Sequence, residues 1–231
     1  IGGFDSLFAN GGYPRGNNIL VIGGPGSGKS IFAVQFLCKG ATEHGEPGVY
    51  VTLDESPKKL KRNVAPFDWD LDALEAEKKI ILLDILEATS ARPEMIQSEQ
   101  SMTAGLDIDS IISQITNAIN EIGATRLVLD SLSIMNLHAR NEAQIRTNML
   151  RLSGALSATN VTSLVITDAK TGSIGINEFP QEAFVFDGVI TLNLDANSQE
   201  RRVSVRKMRG TKHIVGSFRF EISDSGISVM P

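Results

Sequence analysis

A glycine-rich loop that ends in a lysine and a serine lies near the start of the chain, with the sequence GGPGSGKS at residues 23–30. This spacing matches the Walker A motif, G-x-x-x-x-G-K-[ST], which binds phosphate groups. The loop N–H groups would converge on an anion, and the positive end of the following helix would support them. Lys29 would place a charge near the β- and γ-phosphates, and the Ser30 hydroxyl can ligate Mg²⁺.

The residues around this loop favour a nucleotide site over a simple glycine turn in an α/β fold. Glycines at positions 23, 26 and 28 permit backbone angles and close approaches that a Cβ would block. An apolar strand precedes the loop and a helix follows it, which is the context that the motif requires. The predicted nucleotide-binding residues are Gly24, Pro25, Gly26, Ser27, Gly28, Lys29, Ser30 and Ile31.

A second motif resembles Walker B, because the apolar segment RLVLDS at residues 126–131 ends in a carboxylate. By itself this signal is weak, since many strands end in aspartate. Paired with the glycine-rich loop it becomes strong, because Asp130 can hold the Mg²⁺ shell alongside Ser30. The predicted metal-binding residues are therefore Ser30 and Asp130.

Two further strand ends carry polar residues that would meet the loop at one edge of a parallel sheet. Asp54 and Glu55 follow the first of these strands, and a carboxylate there can take a proton from an attacking water. Glu55 is the first choice for this base and Asp54 the second. The structural alternative is that Asp54 or Ser56 caps the helix that starts at Pro57. Thr167, at the other strand end, either contacts the γ-phosphate or the lytic water or is simply a polar terminus.

The segment RRVSVRKMRG at residues 201–210 places two cations near the end of a predicted strand. Alternation along a strand predicts that Val203, Val205, Lys207 and Arg209 share one face. Lys207 and Arg209 could then act on a transition-state phosphate like an arginine finger, which contributes about 10³- to 10⁵-fold in rate. The alternative is an edge strand that its cations protect from aggregation.

The order of elements that must position these residues predicts an α/β fold with a mostly parallel central sheet flanked by helices. An antiparallel extension of the sheet is predicted at the C-terminal end, and two polar segments without periodicity, 87–105 and 169–182, are predicted loops. The first five strands are predicted at 18–23, 48–53, 79–85, 126–130 and 162–168, and the helices at 29–40, 57–67, 106–122 and 141–158. The antiparallel strands are predicted at 188–194, 201–208, 217–222 and 226–230.

Composition narrows the class of protein further. The chain has 231 residues, 42% of them hydrophobic, which predicts one domain over residues 1–231. A net charge of −5 does not suggest a nucleic-acid coat or an anionic-membrane binder. No apolar run approaches the ~20 residues that span a bilayer, so we expect a cytoplasmic protein without membrane contact. The single cysteine, Cys38, excludes an internal disulfide framework and is predicted to be buried and inert.

Together these segments resemble the KaiC branch of the RecA/DnaB-like P-loop ATPases, over nearly the whole chain. The similar segments are GFDSLFANGGYPRGNNILVIGGPGSGKSIFAVQFL, VTLDESPKKLKRNVAPFDWDL, RLVLDSLS, FVFDGVITLNL and VRKMRGTKH. The resemblance implies a RecA-like fold, ATP and Mg²⁺ as ligands, and a ring of identical subunits that is usually a hexamer. It also implies that Lys207 and Arg209 reach the ATP bound by the neighbouring subunit, and that Glu55 and Asp54 form the catalytic acid pair.

The chain departs from the clock proteins of this family in one respect that bears on function. Residues 136–141, NLHARN, contain no adjacent serine and threonine after the Walker B segment. Autokinase activity and a clock role are therefore not predicted, and the chain looks like the single-domain KaiC-like ATPases common in archaea. The leading hypothesis is a Mg²⁺-dependent ATPase with a regulatory or signalling output, whose protein partner the sequence does not name.

Two other classes of function remain as alternatives. A RadA- or RecA-paralogue-like ATPase would bind single-stranded DNA through segments 136–147 and 169–182, but cations and aromatic residues are sparse there. A signalling scaffold would instead present a surface whose assembly depends on ATP. One candidate for that surface is the helix at 57–67 with its basic residues, which are also typical of a solvated helix flank.

Overall fold

A computed structural model describes residues 1–85, 87, 107–137, 139, 141–169, 181–195 and 197–231. Within these residues nine strands form one sheet in the order β3-β2-β4-β5-β1-β6-β7-β8-β9. The strands are β1 (Asn18–Gly23), β2 (Gly48–Thr52), β3 (Ile80–Asp84), β4 (Arg126–Asp130), β5 (Thr162–Asp168), β6 (Gly188–Leu194), β7 (Arg201–Met208), β8 (Phe218–Ser223) and β9 (Gly226–Met230). The predicted loops at 87–105 and 169–182 lie almost entirely outside the described residues.

Helices cover both faces of this sheet. They are α1 (Lys29–Glu43), α2 (Pro57–Val64), α3 (Leu71–Ala76), α4 (Ile108–Ile122), α5 (Leu132–Leu137) and α6 (Glu142–Thr159), with short 3₁₀ helices at Asp5–Leu7 and Gln181–Phe184. One hydrophobic cluster joins α1, α2 and α3 to one face of the sheet, and a second cluster joins α4, α5 and α6 to the other. The side chains of β1 alternate between the two clusters, so this strand is buried on both sides.

The sheet confirms the predicted fold class, with one difference in strand direction. Strands β3, β2, β4, β5, β1 and β6 pair in parallel with one another, and the pairs β6–β7, β7–β8 and β8–β9 are antiparallel. Residues 188–194 were predicted to belong to the antiparallel part of the sheet. This is correct for the pairing of β6 with β7 and wrong for its pairing with β1, which is parallel. The strand pattern does not reveal the direction of a partner, and β6 is hydrogen-bonded to one partner of each kind.

Local sequence signals explain several helix ends. Asp107 accepts hydrogen bonds from the N–H groups of Asp109 and Ser110 at the start of α4, and Gly123 ends that helix with a φ of 61°. Asn141 caps α6 in the same way through the N–H of Gln144. Helices α3 and α5 were not predicted, because six residues are too few to display a helical period.

A β-bulge in β7 overturns the predicted side-chain alternation of that strand. Val189 pairs with Lys207, but the next residue of β6, Ile190, pairs with Val205, so Arg206 is an extra residue. Lys207 therefore shares a face with Val189, which belongs to the second cluster, whereas Val205 and Ile190 belong to the first. The prediction that the valines and the two cations share one face was wrong because alternation reverses at the bulge.

Two composition-based expectations can be compared with the described residues. Cys38 is buried on α1, and burial raises the pKa of its thiol to about 12, which makes the thiolate scarce at neutral pH. Within the ranges given above, none of the helices has the length and hydropathy of a membrane-spanning segment.

Candidate nucleotide site

The glycine-rich loop leaves β1 at the carboxyl edge of the sheet and enters α1. Gly26 and Gly28 have φ angles of 72° and 95°, in the left-handed region that glycine adopts without strain. A Cβ on Gly23 would lie 2.6 Å from the carbonyl oxygen of Leu192 on the neighbouring strand. Gly24 differs, because a Cβ there would meet nothing within 4 Å. The loop thus needs glycine at three positions for its own shape.

Lys29 crosses back over this loop from the first position of α1. Its Nζ donates hydrogen bonds to the carbonyl oxygens of Gly23 at 2.7 Å and Gly24 at 3.0 Å. It also forms an ion pair with Asp168 Oδ1 at 3.1 Å, and only 11% of the lysine side chain is exposed. The ammonium is therefore held at the mouth of the loop by acceptors that an anion could replace.

One buried polar atom in the loop has no hydrogen-bond partner among the described residues. Ser27 Oγ is buried and unpaired, beside the loop N–H groups that the Walker A pattern assigns to phosphate. A buried hydroxyl of this kind fits a loop whose polar groups are completed by a ligand. The donors present, which are hydroxyl, ammonium and backbone N–H groups, suit a polyphosphate.

Ser30 and Asp130 meet directly, as the paired motifs predict. Ser30 Oγ donates to Asp130 Oδ2 at 3.0 Å, and the hydroxyl of Tyr50 donates to the same oxygen at 2.6 Å. Burial raises the pKa of the Asp130 carboxyl, against the lowering effects of Tyr50, Ser30 and the charge on Lys29. Oxygen donors of this type are the ligands that Mg²⁺ prefers, so this pair fits the metal.

Tyr50 was not selected from the sequence, where it is one residue of a buried strand. Its ring is buried in the first cluster, and burial together with Asp130 raises its pKa well above the usual range. The phenol therefore stays protonated and acts as a hydrogen-bond donor to Asp130. Only the pairing of β2 with β4, which sets Thr52 beside Asp130, reveals this contact.

The predicted acid pair follows β2 in a turn that Thr52 organises. Thr52 Oγ1 donates to the carbonyl oxygen of Glu55 at 2.6 Å and accepts from the Glu55 N–H at 3.2 Å. The Glu55 carboxylate accepts a hydrogen bond from Asn63 at 3.0 Å and lies 3.6 Å from Lys59 Nζ. Asp54 is exposed. Glu55 therefore has a fixed orientation at the same edge as Asp130.

Asp54 and Ser56 were alternative candidates for capping the next helix. Ser56 is the N-cap residue of α2, but its side chain makes no capping hydrogen bond, and Pro57 occupies the first helical turn. Ser56 therefore occupies the predicted capping position without the hydrogen bond of a side-chain cap, and Pro57 supplies the helix-start signal.

Thr167 and Asp168 lie at the end of β5, next to the loop. Thr167 is buried and pairs with Ile22, and Asp168 pairs with Gly23. The backbone N–H of Asp168 donates to Ser133 Oγ at 3.0 Å, which ties this strand end to α5. Thr167 thus lies beside Ile22, the residue just before the glycine-rich loop. Asp168 supplies the carboxylate that pairs with Lys29.

Arg201 also reaches the loop, and sequence reasoning missed it. It begins β7 at the carboxyl edge, opposite Leu194, and its Nε lies 3.4 Å from the carbonyl oxygen of Gly26. A cation beside a phosphate-binding loop suits an anionic ligand. Residues 201–210 contain five arginines and lysines, and the direction of the strand decides which of them lies near the loop.

Lys207 and Arg209 lie at the opposite, amino edge of the sheet. Met208 pairs with Gly188, which pairs with Ile19 near the start of β1, whereas the loop follows Gly23 at the other end. At about 3.3 Å per residue the two ends of β1 are about 16 Å apart. An arginine side chain cannot span that distance together with the two intervening strand spacings. Within one chain these cations therefore do not reach the loop.

The other predicted surfaces are only partly described. Residues 138, 140 and 170–180 of the segments assigned to DNA binding lie outside the described residues, and Arg146 is exposed on α6. On the basic helix α2, Lys61 forms ion pairs with Asp72 and Glu75, both at 2.5 Å. No group of three or more histidine, cysteine, aspartate or glutamate residues that could hold a metal occurs in the described part of the chain.

A Walker A loop and a Walker B aspartate that meet at the carboxyl edge of a mostly parallel sheet are the features of a P-loop nucleotide-binding fold. Comparison with known proteins then identifies the family. The family model described as "ATPase: KaiC" matches residues 1–231, and the chain therefore belongs to the KaiC ATPase family.

Individual relatives agree with this assignment. A UPF0273 protein of Pyrococcus furiosus is 37% identical over 234 residues, covering 100% of this chain and 92% of the relative. The circadian clock oscillator protein KaiC of Synechococcus elongatus is 34% identical over 233 residues, but the chain spans only 43% of its length. The crystal structure of a KaiC-like protein from Pyrococcus horikoshii has a TM-score of 0.83 and 36% identity, covering 100% of this chain and 96% of that one. These matches do not favour the recombinase alternative.

Proposed function

We propose that this protein binds Mg²⁺ and ATP and hydrolyses the ATP at the interfaces between subunits of a homo-oligomeric ring, with a hexamer as the expected size. The output would be regulatory or signalling, and the expected place of action is the cytoplasm. We further propose that residues 1–231 act as one domain. A RadA- or RecA-like role on single-stranded DNA remains the less favoured alternative.

The observation that carries the proposal is the separation of the two predicted halves of the site. Lys29, Ser30 and Asp130 meet at the carboxyl edge of the sheet, while Arg209 lies at the amino edge. A head-to-tail contact would bring the amino edge of one copy onto the carboxyl edge of the next, and such contacts form a ring when the rotation between copies closes. Each ATP would then be bound by one copy and completed by its neighbour.

The binding half has a defined task for each group. Backbone N–H groups of the loop and the start of α1 would hold the phosphates, and Lys29 would exchange its contact with Asp168 for the β- and γ-phosphates. Ser30 and Asp130 would hold Mg²⁺, which when bound neutralises phosphate charge and orients the phosphates. Arg201 would add a cation from β7 of the same chain.

The reacting half needs a base and a source of positive charge. Glu55 is the proposed base, since Asn63 and Lys59 fix its carboxylate beside the Walker B strand end, and it would take the proton of the attacking water. Asp54 is the second choice. Lys207 and Arg209 of the neighbouring copy would stabilise the charge that develops on the transferred phosphoryl group.

ATP turnover of Lys29→Ala tests the proposal directly. We expect a fall of about 10²-fold or more, because a single preorganised donor to the reacting group has an effect of this size. Lys39→Ala is the matched control, since Lys39 lies on the same helix and pairs with a nearby surface carboxylate, Glu43. The metal requirement is tested by chelation, with recovery on addition of Mg²⁺. Full turnover by Lys29→Ala would contradict the assignment.

A further inference from the structure

The guanidinium of Arg209 is held by a carboxylate of its own chain. Asp187 Oδ1 forms an ion pair with Arg209 Nη1 at 3.2 Å. The backbone N–H of Arg209 also donates to the carbonyl oxygen of Asp187 at 2.9 Å, and Asn17 Nδ2 donates to the carbonyl oxygen of Arg209 at 2.9 Å. The arginine side chain is 58% exposed, and an exposed arginine samples many conformations. The ion pair with Asp187 favours one orientation of the guanidinium among them.

Asp187 is itself fixed to the first residue of β1. Its second carboxylate oxygen accepts from the backbone N–H of Asn18 at 3.1 Å, and its own N–H donates to the Asn18 carbonyl oxygen at 2.8 Å. The buried side chain of Asn18 bonds in turn to Ser157 at 2.9 Å and Ser163 at 2.7 Å. Arg209 is thereby connected through Asp187 to a buried, hydrogen-bonded residue of the central strand β1.

The same short segment also holds the second cation. Lys207 Nζ donates to the carbonyl oxygens of Phe186 at 2.5 Å and Ala183 at 3.2 Å. Burial and the charge on Arg209 lower the pKa of Lys207, and the charge on Asp187 acts in the opposite direction. The residues just before β6 therefore set the position of both cations.

We propose that Asp187 is a positioning residue for hydrolysis: it holds the Arg209 guanidinium in the orientation that a phosphate on the neighbouring copy requires. The inference rests on the proposed function, in which Arg209 acts between subunits. A guanidinium has five N–H donors, and the contact with Asp187 uses one nitrogen, so the same group can hold Asp187 and a phosphate together. Preorganised charge of this kind needs no rearrangement during the reaction.

Steady-state ATP turnover of three variants tests this role. For Asp187→Ala we expect kcat to fall about 10- to 100-fold, the effect of a small misplacement of a reacting group, with KM within about twofold because the binding half is intact. Asp187→Asn keeps an oxygen acceptor for the Asn18 N–H and should recover part of the rate. Glu221→Gln is the matched control, since it breaks another surface arginine pair, at 3.1 Å, and should leave kcat unchanged.

A double-mutant comparison separates positioning from a general structural effect. In an Arg209→Ala background, Asp187→Ala should produce no further loss, because the group that it orients is gone. Two results would overturn the inference and leave the proposed function intact. One is an equal further loss of kcat when Asp187→Ala is added to Arg209→Ala, and the other is wild-type kcat for Asp187→Ala while Arg209→Ala is slow. Wild-type kcat for Arg209→Ala would instead overturn the proposed function. If Asp187→Ala does not fold, Asp187→Asn is measured in both backgrounds and judged in the same way.

Discussion

Two inactive variants of this chain are expected to restore activity to one another when they assemble together. Arg209→Ala keeps an intact phosphate-binding loop but lacks the arginine of the amino edge, and Lys29→Ala has the opposite defect. In a head-to-tail ring, an Arg209→Ala subunit can receive the missing arginine from a Lys29→Ala neighbour. The pair therefore tests whether the two halves of the site belong to different copies.

The structure sets the size of each effect. Arg209 lies about 16 Å along the sheet from the end of β1, so its loss cannot be replaced from within the same chain. An arginine acting on the transferring phosphoryl group contributes about 10³- to 10⁵-fold, or roughly 4–7 kcal/mol of the barrier. In rings assembled at random from equal amounts, about one interface in four combines an intact loop with an intact arginine. The mixture should recover up to that fraction of wild-type turnover.

The assay measures phosphate release by each variant alone and by the mixture, with the subunits combined before ATP is added. Light scattering checks that all three samples assemble to the same size. A mixture that assembles normally but stays as slow as its components would refute the reasoning, because it would show that no site draws on two copies.

Three further outcomes follow from individual contacts. Gly28→Ala should lower the free energy of unfolding by about 1–2 kcal/mol in chemical denaturation, because a Cβ at a φ of 95° is strained. Gly24→Ala, where a Cβ meets nothing, should leave that free energy unchanged, and equal losses for the two would contradict this. Asp168→Asn should strengthen nucleotide binding by up to about fivefold in a fluorescence titration, because it removes the partly exposed ion pair that competes for Lys29. Weaker binding by this variant would contradict that competition and show that the Asp168 carboxylate favours nucleotide binding. Burial and the adjacent guanidinium lower the pKa of Lys207, so kcat should fall at a lower alkaline pH than an ordinary lysine would cause. Lys207→Arg should move that fall to higher pH, and an unchanged pH profile would exclude the Lys207 ammonium as its cause.

Local patterns in the sequence predicted the parts of the site that depend on consecutive residues. The glycine-rich loop was recognisable because the Walker A pattern requires glycines, a lysine and a serine at fixed spacing between a strand and a helix. The strands β1, β4 and β5 were predicted with the bounds that the structure has, because strands buried on both faces are continuous apolar runs.

Contacts between distant segments could not be predicted in this way. The hydrogen bond from Tyr50 to Asp130, the approach of Arg201 to the loop and the pairing of Asp187 with Arg209 all depend on which strands are neighbours and in which register. The bulge in β7 has the same origin, because it arises from pairing with β6 and leaves no mark in the alternation of residue types.

The most direct measurement of the central claim is a structure of the assembled protein with Mg²⁺ and a non-hydrolysable ATP analogue. We predict that the triphosphate lies in the loop around Gly28, with Lys29 on the β- and γ-phosphates, Ser30 and Asp130 at the metal, and Arg209 of the adjacent copy near the γ-phosphate. A triphosphate bound elsewhere, or an assembly in which Arg209 faces solvent away from every bound nucleotide, would contradict the account.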